Sequence, residues 1–257
     1  MTITIEGVKP GAQLLDEIAE NGTEVMLNFS RGKDSLTVWL ELERRGIRPT
    51  AVVHNSPMPG LKWIADDLKR YEDLFGQHIY NMPTAAFTSL LAGNVDQPPE
   101  RCAMLEALDL PPKVTSAEWD ELMRAAFGTK DSWMLSGERA SDSHNRRMAI
   151  KSHGPISEKG RRIKPIWDFQ IGDVRRVLRE GGIPVLPDGT KALNGSNVSG
   201  LPDSLDYRLW GRSFDAIRWD FIKDLPEYAP DDWEMMLRWL PLLRAELKRG
   251  EVLYGQG

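Results

Sequence analysis

Hydrophobic and polar positions alternate between two textures along the chain. Short apolar runs end in polar, glycine- or proline-containing turns, and longer segments follow in which apolar residues recur every three or four positions. Val25, Met26, Leu27 and Phe29 form the first run, apolar enough for a strand buried on both faces. Leu36, Trp39, Leu40 and Leu42 then share a helical stripe that Gly46 closes. A second strand pattern, 50–55, ends at Pro57, Pro59 and Gly60. Residues 61–75 carry Ile64, Leu68, Tyr71 and Phe75 on one helical face and stop at Gly76, and 78–82 give a third strand. This succession predicts a parallel sheet with right-handed crossovers, whose ligands bind at the carboxyl edge of the strands.

The same patterns continue. Residues 11–20, 84–92 and 101–110 read as helices, the last two joined through Pro98 and Pro99. Thr115-Ser116-Ala117-Glu118 is a capping-box signature for a helix to Phe127, with Trp119, Leu122 and Phe127 expected in the core. Residues 132–136 and 163–169 give a fourth and a fifth strand, and a helix follows in which Ile171, Val174, Val177 and Leu178 share a face. The expectation is an α/β protein with a mostly parallel five-stranded sheet flanked by helices. Beyond Gly182, glycines and prolines punctuate 183–206, which reads as a mobile lid. Residues 233–247 then read as one amphipathic helix through Met236, Leu237, Leu240, Leu243 and Leu247. The aromatics Trp210, Phe214, Trp219, Phe221, Tyr228, Trp233 and Trp239 around it are read chiefly as core. The chain thus divides into an α/β domain, 1–185, and a loop-rich helical extension, 186–257.

Composition narrows the function. With 257 residues, 41% hydrophobic and 28% charged, the chain has the make-up of a soluble globular protein, no apolar run is of membrane-spanning length, and a cytoplasmic location is expected. The single cysteine, Cys102, excludes a disulfide or a cysteine-held cluster made within one chain. A net charge of −5 argues against a surface that coats nucleic acid in general. Between Arg139 and Lys164, however, eight lysines and arginines face only Asp142 and Glu158, an island on which an anionic partner can dock.

The chemistry concentrates in Asn28-Phe29-Ser30-Arg31-Gly32-Lys33-Asp34-Ser35, a turn from strand to helix. Backbone N–H groups and the positive end of a helix converge on an anion in such a turn, Lys33 adds a full charge, and Ser30 and Ser35 offer hydroxyls. Asp34 would repel phosphates unless a divalent cation stood between them, which points to Mg²⁺. The Walker pattern is absent. Instead Ser30-Arg31-Gly32-Lys33-Asp34-Ser35 resembles the S-x-G-K-D-S loop of the adenine nucleotide alpha hydrolase, or PP-loop, superfamily, with Arg31 in place of the commoner glycine. Within that superfamily the chain most resembles the phosphoadenosine phosphosulfate (PAPS) reductase family. Gly137-Glu138-Arg139-Ala140-Ser141-Asp142-Ser143-His144-Asn145-Arg146 is similar to its G-x-R-x-x-[DE]-S-x-x-R segment, and Lys164 to Phe169 with Asp173-Val174 is similar to its late P-[IL], W and D-V run. The likeness covers about residues 20 to 185.

The resemblance implies a Rossmann-like fold that binds ATP with Mg²⁺. It makes Ser30 to Ser35, Gly137 and Arg139 nucleotide-binding, Asp34 the metal ligand, and Lys33, Asp34, Arg139 and Arg146 the groups that act on the phosphates. The chain departs from the family in two places. His54-Asn55-Ser56-Pro57 lacks the acid of the family's H-x-D-T segment, so His54 reads as a hydrogen-bonded strand-end histidine, and no cysteine follows Cys102 to serve as the reductase nucleophile. The expected function is cleavage of ATP between the α and β phosphates to adenylylate an anionic acceptor held near Arg139 to Lys164, with release of pyrophosphate. Two other readings stay open. One is a non-catalytic nucleotide-binding subunit of a complex, a homo- or hetero-oligomer, as befits tailless relatives from phage and mobile elements. The other is a PP-loop enzyme that modifies tRNA or DNA.

Overall fold

The computed structural model describes residues 2–56, 58–111, 113–183, 219–223 and 225–255. The elements in chain order are α1 (Gly11–Glu20), β1 (Val25–Phe29), α2 (Lys33–Glu43), β2 (Ala51–Ser56), α3 (Lys62–Phe75), β3 (Ile79–Pro83), α4 (Ala85–Ala92), α5 (Pro99–Ala107) and α6 (Ser116–Phe127). They continue with β4 (Trp133–Leu135), α7 (His144–His153), β5 (Ile156–Ser157), β6 (Arg162–Ile163), α8 (Ile171–Glu180), α9 (Trp219–Ile222), α10 (Leu225–Tyr228), α11 (Pro230–Trp239) and α12 (Leu243–Tyr254). The described residues fall into two compact units, one of 2–54, 77–80 and 120–183, the other of 55–76, 81–119 and 219–255. The lid expected over 183–206, the division expected near 185, and Trp210 and Phe214 lie almost wholly outside the described residues.

The sheet runs β3-β2-β1-β4-β6-β5. β1 is parallel to β2, from Met26 opposite Ala51 to Phe29 opposite His54, and parallel to β4, from Val25 opposite Trp133 to Leu27 opposite Leu135. The α/β architecture is as expected, but the strand count is six. The strand anticipated over 163–169 shrinks to Arg162–Ile163, because Pro165 offers no N–H and the backbone turns through Trp167 N to Lys164 O and Phe169 N to Ile166 O. Ile156–Ser157 pairs antiparallel with it to add the sixth strand.

The first unit's core lies on both faces of β1. Met26, Leu27 and Phe29 are fully buried, as are Leu36, Val38 and Leu42 of α2 and Val174, Val177 and Leu178 of α8. Phe29 meets Trp39 edge to face at 5.2 Å, a favoured aromatic geometry. The late Pro165–Phe169 run is structural: Trp167 Nε1 donates to Lys9 O at 2.9 Å and Gly11 N donates to Asp168 Oδ2 at 3.2 Å. Gly11 is required there, since a Cβ would stand 2.1 Å from Pro165 O. Burial pushes the Asp168 carboxyl above its ordinary pKa, and the Gly11 N–H offsets part of that.

In the second unit, α3 receives its N-terminal cap from far along the chain: Asp232 accepts from the N–H groups of Lys62 and Trp63. Gln97 Nε2 donates to Trp239 O at 2.7 Å, and Trp239 Nε1 donates to Pro59 O at 3.0 Å. The helix expected over 233–247 is two, α11 and α12, broken at Leu240–Leu242 where Pro241 interrupts the hydrogen-bond ladder. Leu122, expected in the core, is 51% exposed, because α6 buries Met123 and Arg124 instead. Ile171, at the start of α8 in the first unit, is likewise exposed, to 38%. Among the described residues no helix is long and apolar enough to cross a membrane.

Candidate phosphate-binding site

β1 ends at Phe29 and α2 begins at Lys33, so three residues make the turn. Arg31 takes a left-handed conformation at φ 62°, and Gly32 at φ −80° is the N-cap of α2. Two serines brace the loop from inside. Ser35 Oγ donates to Gly32 O at 3.0 Å and accepts from Ser30 N at 3.2 Å, while Gly32 N donates to Ser30 Oγ at 3.4 Å. No side chain caps α2, and the N–H groups of Lys33, Asp34 and Ser35 find no acceptor among the described residues. These donors, at the positive end of the helix, form a ready anion cradle.

Charges of alternating sign line the cradle. Lys33 Nζ lies 2.8 Å from Asp34 Oδ2, and Arg139 Nε lies 2.8 Å from Asp34 Oδ1, close enough for an ion pair but out of hydrogen-bond alignment. Arg139 Nη2 contacts Asp142 Oδ1 at 2.6 Å and Arg146 Nη1 contacts Asp142 Oδ2 at 2.7 Å. Arg139 Nη1 also donates to Ser141 Oγ at 3.0 Å, whose hydroxyl donates to Phe169 O at 2.9 Å. Lys33, Arg139 and Arg146 thus outnumber Asp34 and Asp142, leaving the row net positive. Gly137 lets the β4 end approach the start of α2: a Cβ there would lie 2.7 Å from the Asp34 carbonyl carbon.

The structure therefore gathers Ser30, Arg31, Gly32, Lys33, Asp34, Ser35, Gly137 and Arg139 at adjacent strand ends. Arg139 is 5% exposed, whereas Arg146 joins only through Asp142 with its side chain half exposed. The basic island is partly neutralised by acids: Arg162 pairs with Asp120, Lys164 with Glu138 at 2.7 Å and Arg161 with Asp131 at 3.8 Å. Arg147, Lys151 and Lys159 have no ion pair among the described residues. Cys102 is half-buried, its Sγ 3.5 Å from Pro98 O, as packing requires.

Sequence reasoning missed one contact. Arg31 Nε donates to His54 Nε2 at 3.1 Å, and the two residues are buried to 1% and 2% exposure. The signal lay in an arginine at a position where the loop pattern takes glycine, beside a histidine at the next strand's end.

Among the described residues no three acidic, imidazole or thiol groups converge on one point. Asp34 still suits Mg²⁺, which is commonly held by one or two carboxylates together with phosphate oxygens. Its Oδ1 is buried against Arg139 Nε without a hydrogen bond and its Oδ2 meets Lys33 Nζ, so a bound Mg²⁺ would take the place of one of these cations at the carboxylate.

No family model matches the chain, and no curated protein matches it. Solved structures similar to it include the NH3-dependent NAD synthetase from Campylobacter jejuni in complex with nitrate, at 10% identity over 93% of this chain and 90% of that one, with a TM-score of 0.42. The U34-tRNA thiolase from Methanococcus maripaludis with its [4Fe-4S] cluster is similar at 15% identity over 91% and 78%, with a TM-score of 0.40. The FMN adenylyltransferase from Candida glabrata, in complex with FMN and an ATP analogue, is similar at 14% identity over 65% and 54%, with a TM-score of 0.38. At these identities and scores the likenesses assign neither family nor activity.

Proposed function

We propose that the chain is a PP-loop enzyme of the PAPS-reductase-like kind that binds ATP with Mg²⁺, cleaves it between the α and β phosphates, and transfers the adenylyl group to an anionic acceptor. The observation that carries this reading is the uncapped start of α2, with three open N–H donors beside Lys33 and the buried Arg139. The N–H groups of Lys33, Asp34 and Ser35 and the Lys33 ammonium bind the β and γ phosphates, which leave as pyrophosphate. Arg139, held by Asp142 and Ser141, sets its guanidinium over the α phosphate, where charge builds as the bond breaks. Asp34 is the residue that would hold Mg²⁺, which would supply charge neutralisation at the leaving group. Arg146, tied to Asp142 yet half exposed, is placed to receive the acceptor's negative charge. The residues hold and neutralise; rate enhancement comes from positioning.

A second reading follows from α7. Nine of its ten residues are exposed and Ile150 alone is buried, so Arg147 and Lys151 are open to a polyanionic acceptor such as tRNA or DNA.

Incubation of the protein with Mg²⁺, α-labelled ATP and acceptors of several classes decides the matter. The reading expects pyrophosphate and an equimolar adenylylated acceptor or AMP, suppressed by Lys33→Ala. Tight nucleotide binding with no pyrophosphate formed by any acceptor overturns it in favour of a non-catalytic binding subunit. Retention of RNA or DNA, falling steeply with salt and lost in Arg147→Ala/Lys151→Ala, selects the polyanionic acceptor.

A further inference from the structure

Arg31 combines two features that are rarely found together. Its backbone is left-handed at φ 62°, a conformation that costs any residue with a Cβ, and its side chain is 1% exposed within a loop otherwise built to meet solvent and ligand. A guanidinium only donates, so the nitrogen that it faces must accept. Nε2 of His54, 3.1 Å from Arg31 Nε, therefore carries no proton while the contact holds, and the ring proton sits on Nδ1. His54 is opposite Phe29 in the β1–β2 register, beside the residue where the loop begins. The contact thus ties the most unfavourable backbone position of the loop to the neighbouring strand.

We propose that the Arg31–His54 hydrogen bond is a positioning latch that holds the phosphate loop in its binding geometry before ligand arrives. A glycine at position 31 would reach the left-handed turn without penalty but would also leave it freely. Arginine reaches the turn at a conformational cost and is then held there by a buried partner. Fixing Arg31 fixes Ser30 and Gly32 on either side, and through the Ser30–Ser35 brace it fixes the direction of the N–H groups of Lys33, Asp34 and Ser35. A loop held in this way spends less conformational entropy when it binds. Arg31 and His54 act through the loop, so they are positioning residues. The inference rests on the phosphate-binding reading above for its ligand.

The test compares wild type with Arg31→Gly, His54→Leu, His54→Gln and Lys33→Ala, reading hydrogen exchange across Asn28 to Ser35 in the free protein and the affinity for Mg²⁺-pyrophosphate. Thermal unfolding of each variant verifies the fold; Arg31→Gly is the variant of choice should His54→Leu not fold, because glycine tolerates the same φ. His54→Leu and Arg31→Gly are expected to speed exchange at the Ser30 and Gly32 amides and to weaken pyrophosphate binding by roughly tenfold or more, the scale of a buried hydrogen bond. His54→Gln, whose side-chain oxygen can accept near the position of Nε2, is expected to stay within about threefold of wild type on the same ground. If pyrophosphate binding is lost in Lys33→Ala but intact in both His54→Leu and Arg31→Gly, the latch alone is overturned. If wild type binds no pyrophosphate, the phosphate-binding reading falls and the latch's role falls with it.

Discussion

α2 follows β1 and α7 follows β4, two parallel neighbours in the sheet, yet the two helices treat their first N–H groups in opposite ways. At α7, Ser143 accepts from Arg146 N at 3.2 Å, and Asp142 just before it accepts from Arg139 and Arg146. That end is closed by its own side chains, and what it projects is guanidinium charge. At α2 the cap is Gly32, which has no side chain to offer, and the N–H groups find no acceptor among the described residues. The proposed division of labour follows directly. Backbone donors of α2 grip the leaving phosphates, while side chains of the α7 loop stabilise charge and meet the acceptor.

Five substitutions break or sharpen this contrast. Lys33→Ala is expected to lower nucleotide affinity by about 10- to 100-fold, the loss of a charge-assisted contact, whereas the half-exposed Arg146→Ala lowers it by no more than about fivefold. Calorimetric titration with Mg²⁺-ATP compares them, and equal losses would move the anion towards α7. Gly137→Ala drives a Cβ against the Asp34 backbone and forces the two helix starts apart; chemical denaturation should show a loss of about 1 to 3 kcal/mol, accompanied by weaker nucleotide binding. Ser143→Ala removes the α7 cap at a cost of about 1 kcal/mol in stability, with nucleotide affinity unchanged. Gly32→Asp is the converse. The backbone at φ −80° accepts it, and an aspartate there would cap α2 itself. Stability should rise by a few tenths of a kcal/mol, roughly the Gly-to-Asp difference at an N-cap, while affinity for the nucleotide falls. An affinity that is unchanged would show that the open donors are not the cradle.

Local signals carried the sequence reading furthest. Helix Gly11–Glu20 begins and ends where its pattern does, and Thr115 and Glu118 form the anticipated reciprocal pair, with Thr115 N donating to Glu118 Oε2 at 2.7 Å and Glu118 N to Thr115 Oγ1 at 3.2 Å. Both depend only on residues a turn apart. What escaped depends on distant partners. The cap of α3 comes from Asp232, and Asp120 and Asp131 cancel basic charge that the segment from Arg139 to Lys164 seemed to present alone. Leu122 fits the helical stripe as well as Met123 does, and only the placement of α6 decides which of them is buried. The loop motif suggested the phosphate chemistry proposed above, but the burial of Arg31 against His54 required the β1–β2 register.

The neighbouring of β1 and β4 also bears on the order in which the molecule folds. The turn from β1 into α2 is local and can form as soon as those residues are free, but β4 joins β1 only after a long excursion of chain. Glu24 and Ser132, in contact beside these strands, are 108 residues apart in sequence. Closing such a loop is slow relative to winding a helix. Gly137 and Arg139 are therefore expected to reach Asp34 late, with most of the helical signal of a refolding chain regained before the proposed nucleotide site is complete. Completion of the proposed site is thus expected to come late in the assembly of the first unit.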